Sequence, residues 1–301
     1  MTDWSSLSTE QRNPASAQID ELGTLDLVRL INREDSCVPG AVGRVAAELA
    51  VAVDRVADAI RSGGRLFYAG AGTSGRLGIL DASECPPTYG TDPDLVQGLI
   101  AGGEGAVFRA VEGAEDDPEG ALPDLEDRGL RSPDIVVGIA ASGVTPWVLG
   151  ALDHARSLGC TTILVSCSPS AAAAVDADVK IVPEVGPEVV TGSTRLKAGT
   201  ATKLVLNTLT TAAMVRLGKT CGNLMVDLRP TNAKLRDRSC RILAALSGID
   251  PQSARRHLET VAWDLKVALV MQTCHVDEGR ARRLLEASGG HVKRAAAAGG
   301  R

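Results

Sequence analysis

From residue 66 to residue 217, short apolar runs alternate with longer stretches of helical period. Five runs read as strands, at 66–69, 95–101, 134–140, 161–166 and 179–182. They are short, rich in aliphatic side chains and followed by turn residues. The run 134–140, Asp-Ile-Val-Val-Gly-Ile-Ala, is almost wholly apolar, as a central strand buried on both faces requires. Helical spacing predicts helices at 74–84, 105–113, 118–127, 145–158 and 197–217. Alternation of this kind implies a parallel sheet with helices on both faces and right-handed crossovers. Upstream, helical hints at Ser16–Asn32 end at a break predicted for Pro39-Gly40. A long amphipathic helix follows at 41–61, with Val45, Leu49, Val53, Val56 and Ile60 on one face. Past about residue 243 the strand signals stop. Three short helices are predicted over 251–298, with breaks near His275-Val276 and Ser288-Gly289-Gly290, and Ala295–Ala298 reads as a fraying tail. The expected domains are an N-terminal helical segment, 1–40, an α/β domain, 41–242, and a small helical domain, 243–301.

A chain of 301 residues is long enough for one large α/β domain with a smaller appendage. Aromatic content is only 2%, so the core must be built from small aliphatic side chains. A formal net charge of −5 argues against nucleic acid as the main partner, since phosphate-backbone binding needs a basic face. No apolar run reaches the roughly 18 residues of a membrane span, and Met1-Thr2-Asp3-Trp4 has no leader character. Seven cysteines form no C-x-x-C pair and no zinc spacing, which reads as reduced thiols in a cytoplasmic protein without a metal site.

The densest chemistry lies at 66–84, where an apolar run, a turn holding Gly70, Gly72 and Gly75, and a helical pattern follow one another. Strand, glycine turn and helix aim backbone N–H groups and a helix dipole at one spot, which suits an anion. Thr73 and Ser74 add hydroxyls there. The spacing also matches the dinucleotide fingerprint G-x-G-x-x-G, but the acid that reading needs after the next strand comes too late, at Glu104. A single phosphate fits better. Three further loops are rich in hydroxyls: Ala141-Ser142-Gly143-Val144-Thr145-Pro146, Ser166-Cys167-Ser168-Pro169-Ser170 and Thr191-Gly192-Ser193-Thr194. In an open α/β sheet such loops converge outside the carboxyl ends of the strands, where ligands bind. Thr145 is either the cap of the helix opened by Pro146 or a ligand contact. Lys197 follows the last loop; a cation in a first helical turn opposes the dipole and so needs a reason to be there. Two carboxylates, Glu84 and Glu115, can lie near the same sheet edge and share acid and base roles.

These segments, in this order, resemble the sugar isomerase domain, a three-layer flavodoxin-like α/β fold that binds phosphosugars, and most closely its etherase branch acting on N-acetylmuramic acid 6-phosphate. The resemblance covers nearly the whole chain. It is carried by Thr9-Glu10-Gln11-Arg12-Asn13-Pro14, by residues 69–78, and by Asp81-Ala82-Ser83-Glu84-Cys85-Pro86-Pro87-Thr88. Ile100-Ala101-Gly102-Gly103, Glu112-Gly113-Ala114-Glu115-Asp116-Asp117, residues 191–201, Asn223-Leu224-Met225-Val226-Asp227 and Leu284-Leu285-Glu286-Ala287-Ser288-Gly289-Gly290 extend it. Val144 and Ser168 depart from the family pattern, which has Arg and Asn there. The resemblance implies elimination of D-lactate from the phosphosugar and addition of water, with Glu84 as proton donor and Glu115 as the second catalytic group. It further implies substrate contacts from Gly72, Thr73, Ser74, Gly75, Ser142, Gly143, Thr145, Ser193, Thr194 and Lys197, no cofactor, a homodimer, and a C-terminal module of ubiquitin-associated type. An aldose–ketose phosphosugar isomerase needs a base but not the second acid. A non-catalytic sensor like the glucokinase regulatory protein carries two such domains on a chain about twice as long.

Overall fold

The computed structural model describes residues 7–228 and 230–300. The expectation at Met1–Trp4 lies outside them. Five parallel strands, β1 (Leu66–Gly70), β2 (Val96–Ile100), β3 (Ile135–Ile139), β4 (Thr161–Val165) and β5 (Val179–Ile181), form one sheet in the order β2-β1-β3-β4-β5. Each predicted strand is present. The order reverses direction between β1 and β3, which pair in register from Leu66 with Ile135 to Gly70 with Ile139. All five residues of β1 and of β3 are buried, as their unbroken apolar character requires.

The helices of this part of the chain are α1 (Thr24–Asp35), α2 (Val38–Arg44), α3 (Ala46–Arg61), α4 (Gly72–Tyr89), α5 (Leu122–Asp127), α6 (Pro146–Ser157), α7 (Pro169–Ala174) and α8 (Lys197–Arg216). One buried cluster joins Phe67, Ala69, Val136 and Leu164 of the strands to Leu125 of α5 and to Trp147, Val148 and Leu152 of α6. At the amino ends of β1 and β3, the guanidinium of Arg65 donates to both Asp134 oxygens (3.3 and 2.6 Å) and to the carbonyls of Arg128 and Gly129. This clamp ties together the sheet edge away from the loops of interest.

Several boundaries differ from the sequence reading. Pro39-Gly40 does not break the chain. Pro39 sits in the first turn of α2, where its missing N–H has no partner to lose, and the break falls at Val45 instead. The helix expected at 105–113 is only a 3-10 turn, Glu104–Val107. Its last carbonyls, Ala106 and Val107, accept from the Arg76 guanidinium (2.8 Å each) rather than from a continuing helix. The helix at 118–127 shortens to α5, the hint at 16–32 becomes two 3-10 turns and α1, and α7 forms within a stretch read as loop.

By internal contacts the chain divides into two compact units, residues 1–83 with 94–210, and 84–93 with 211–301. This cut differs from 41–242 and 243–301. The second unit holds a two-stranded ribbon, β6 (Thr220–Cys221) and β7 (Leu224–Met225), and helices α9 (Ala233–Ser247), α10 (Pro251–Thr260), α11 (Leu265–Cys274), α12 (Glu278–Ala287) and α13 (Val292–Gly299). Its core gathers Cys221, Val226 and Leu228 with Leu243, Leu258, Leu269 and Leu285, so the ribbon packs with the helices that follow it. Two-residue strands carry no periodicity, which hid them. Four helices, not three, cover 251–299, because the break after α10 is made by left-handed Ala262 and Trp263 without a glycine signal. The tail does not fray: Val292 and Ala295 are buried in that core.

Burial pushes the Cys167 thiol up to about 12, with the Glu188 carboxylate adding to it, and the Cys160 thiol up to about 11, helped by Asp134. Cys37 is exposed. Iodoacetamide at about pH 8 is expected to alkylate Cys37 while Cys160 and Cys167 stay intact, read by peptide mass spectrometry. Labelling of Cys167 in the native protein would contradict its burial.

Candidate active site

A pocket of about 320 Å³ opens outside the carboxyl ends of β1 and β3, where the strand order reverses. Two helix starts reach it, α4 through Gly72, Thr73 and Ser74, and α6 through Thr145 and Pro146. The first-turn N–H groups of a helix have no intrahelical acceptor, and the dipole adds positive potential there. Ser142 and Thr194 bring further hydroxyls, and Gly192 a turn. Among the described residues no Lys, Arg or His lines the pocket, whereas Glu10, Glu115 and Asp116 do. An anion held here is held by hydroxyls, backbone N–H groups and dipoles.

Thr145 occupies the N-cap position of α6, yet its hydroxyl makes no capping bond. Its side chain is thereby left for the pocket it lines. Ser142 Oγ accepts weakly from the Val144 N–H at 3.4 Å. Gly75 is not among the lining residues. A Cβ there would come within 2.6 Å of the Gly70 carbonyl and of Ile100, so this glycine lets α4 start close against the sheet. Ser193 and Gly143 also lie off the lining.

The Glu115 segment is docked on α6. The Trp147 N–H donates to the Glu115 carbonyl at 3.0 Å. One helical turn further, a Cβ at Gly150 would overlap the Pro118 carbonyl. The helix that presents Thr145 therefore also sets where Glu115 stands. Arg76 contributes from the other side by holding the 3-10 turn after β2.

Lys197 is occupied elsewhere. Its ammonium is buried and donates to Glu34 of α1 at 3.0 Å, and its backbone N–H and that of Ala198 donate to the buried Glu188 carboxylate (2.9 and 3.0 Å). That carboxylate neutralises the positive end of α8, which is how a lysine is tolerated in its first turn. Asn13 completes the group, donating to Glu34 at 2.7 Å and to the Pro187 carbonyl at 3.2 Å. The Asn13 hydrogen bond first, and then Lys197, hold the Glu34 carboxyl below its ordinary value.

Glu84 is exposed on α4, eleven residues beyond Thr73, and does not line this pocket. Its neighbour Asp81 is buried and accepts from Tyr68 Oη (2.8 Å), Asn207 Nδ2 (2.6 Å) and Thr210 Oγ1 (3.2 Å), which fixes α4 against β1 and α8. Glu10 was missed as a pocket residue in the sequence reading. Its only signal was its place in the opening motif, far in sequence from every loop. Among the described residues no group of His, Cys, Asp and Glu could hold a metal ion, and no single helix is long and apolar enough to cross a membrane.

Fold and pocket together define a protein of the sugar isomerase domain class. Residues 48–156 match the family model described as the glucokinase regulatory protein N-terminal SIS domain. The phosphoheptose isomerase structure from Francisella tularensis superposes with a TM-score of 0.50 at 17% identity, over 64% of this chain and 100% of that one, and so shares the fold. The N-acetylmuramic acid 6-phosphate etherase of Gloeobacter violaceus is 56% identical over 94% of this chain and 93% of its own length. That of Pectobacterium atrosepticum is 51% identical over 96% and 95%. The chain belongs to the N-acetylmuramic acid 6-phosphate etherase family.

Proposed function

We propose that the protein cleaves the lactyl ether of N-acetylmuramic acid 6-phosphate, giving N-acetylglucosamine 6-phosphate and D-lactate. The observation that carries this reading is a hydroxyl-lined pocket at two helix starts with a carboxylate, Glu115, in its wall. In this reading Thr73, Ser74, Ser142 and Thr145 take the phosphate. The opened sugar presents an aldehyde at C1 that acidifies the C2 proton. Glu115 removes that proton, the C3–O bond breaks, and a carboxylic acid protonates the departing lactate oxygen. Water then adds across the C2–C3 double bond, its OH at C3 and its proton at C2. Acid and base groups of this kind contribute about 10²–10⁴-fold each.

Glu84 is assigned the proton donor. Because it lies outside the pocket of its own chain, the reading takes it from a second copy, in a homodimer. The enzyme is placed in the cytoplasm, where a phosphorylated sugar meets it. Incubation with N-acetylmuramic acid 6-phosphate should release D-lactate, measured with a coupled dehydrogenase. Ser74→Ala should raise KM by about 10- to 150-fold with a smaller effect on kcat, since one hydrogen bond to a charged group is worth about 1.5–3 kcal/mol. No lactate from the unaltered protein would end the reading; an unchanged KM would remove Ser74 from the phosphate site.

A further inference from the structure

A second cavity, of about 490 Å³, adjoins the candidate site. Val144 belongs to both linings: it stands between Ser142 and Thr145 in the pocket wall and beside Gly143 in the second cavity. The second cavity continues away from the helix starts, between α6 and α7. Leu149, Ala171, Ala174 and Val175 make its walls together with Leu7. Among the described residues its titratable lining groups are two carboxylates, Asp153 and Asp176. Both are ion-paired to Arg156, which donates to Asp153 at 2.6 Å and also reaches Asp176.

The two cavities thus divide their chemistry. The first offers hydroxyls and helix dipoles to an anion. The second offers aliphatic surface, with carboxylates at its polar side and, among the described residues, no cation in its lining. A negatively charged substituent would meet two carboxylates whose partner, Arg156, is already engaged by both. An uncharged substituent tipped with carbon would instead bury apolar area. The proposed substrate carries one such group, the amide-linked acyl on its amino nitrogen, whereas its lactyl arm ends in a carboxylate.

We infer that the second cavity is the acyl subsite, reached past Val144, and that it accepts N-acyl groups longer than acetyl. This rests on the phosphosugar reading of the first pocket. A volume near 490 Å³ far exceeds an acetyl group, so chain lengthening meets open apolar space rather than a wall. Each methylene that leaves water is worth about 0.8 kcal/mol, or roughly fourfold in affinity.

The test is a series of muramic acid 6-phosphates acylated with acetyl, propionyl or butanoyl groups, assayed for lactate release. Alongside it, the Kd of the matching N-acyl glucosamine 6-phosphates is measured by calorimetry. For the unaltered protein kcat/KM should hold or rise along the series, and Kd should fall by up to about fourfold per added methylene. Ala174→Trp, which fills the cavity at an exposed position, should lower the butanoyl-to-acetyl ratio by at least about tenfold. Leu149→Ala, which widens the cavity, should raise the ratio for still longer chains. A steady loss of affinity with each methylene in the unaltered protein, or equal effects of Ala174→Trp on acetyl and butanoyl ligands, would overturn the assignment. Absence of lactate from every substrate would sink the etherase reading alone, because the binding series decides the subsite without any turnover.

Discussion

Glu115→Gln is expected to lower lactate release by about 10³-fold while the protein still binds N-acetylglucosamine 6-phosphate. Glutamine keeps the size and hydrogen-bonding reach of the side chain but cannot take a proton from C2. The backbone at this position is held by the Trp147 N–H, so the substitution should not move the segment. Glu84→Gln is expected to show a comparable loss for a different reason, having no proton to give. Mixing the two inactive variants under conditions of subunit exchange separates a shared site from a private one. If each pocket draws Glu84 from the partner, half of the dimers are mixed and one of their two sites is intact. Activity should then return to on the order of a quarter of the unaltered level. No recovery would remove the partner's Glu84 from the mechanism.

The second large effect is on stability. Lys197→Met should cost about 2 kcal/mol at neutral pH, seen as a lower midpoint in urea with an unchanged slope. The lysine is almost fully buried, at 4% side-chain exposure, and its removal leaves Glu34 with the Asn13 hydrogen bond and the more distant charge of Arg33. Glu34 has its carboxyl held low in the folded state, so its contribution is present above the unfolded value of about 4.3 and is lost as pH falls through the folded one. The gap between variant and parent should therefore narrow toward acid pH. Unchanged stability combined with a raised KM would return Lys197 to the list of substrate contacts.

The sheet was legible because its central strands β1 and β3, buried on both faces, must be continuously apolar, while β2, β4 and β5 stay mostly aliphatic around Gln97, Thr161, Thr162 and Lys180. What misled was punctuation whose meaning depends on partners distant in sequence. Pro39 looked like a stop and is a helix start. The 105–113 stretch looked helical until Arg76 claimed its carbonyls. In the pocket, the hydroxyls of Thr73, Ser74, Ser142 and Thr145 announced themselves through their glycine neighbours and helix starts. Lys197 stands out in the sequence as misplaced in a first turn, but its reason, Glu34 and Glu188, sits on segments that no local pattern connects to it. Glu10 was invisible as a pocket residue for the same cause: only the fold carries the opening motif over to the strand tips.

The close seating of Pro118 over Gly150 bears on how substitutions in this chain would be sorted by their effects. Position 150 faces neither cavity, yet a single methyl there would lever the acidic segment off its helix. In a mutational screen scored for turnover, Gly150 would group with residues that touch the reacting atoms, and a map of sensitivity drawn without coordinates would place the reaction centre about a helical turn too deep.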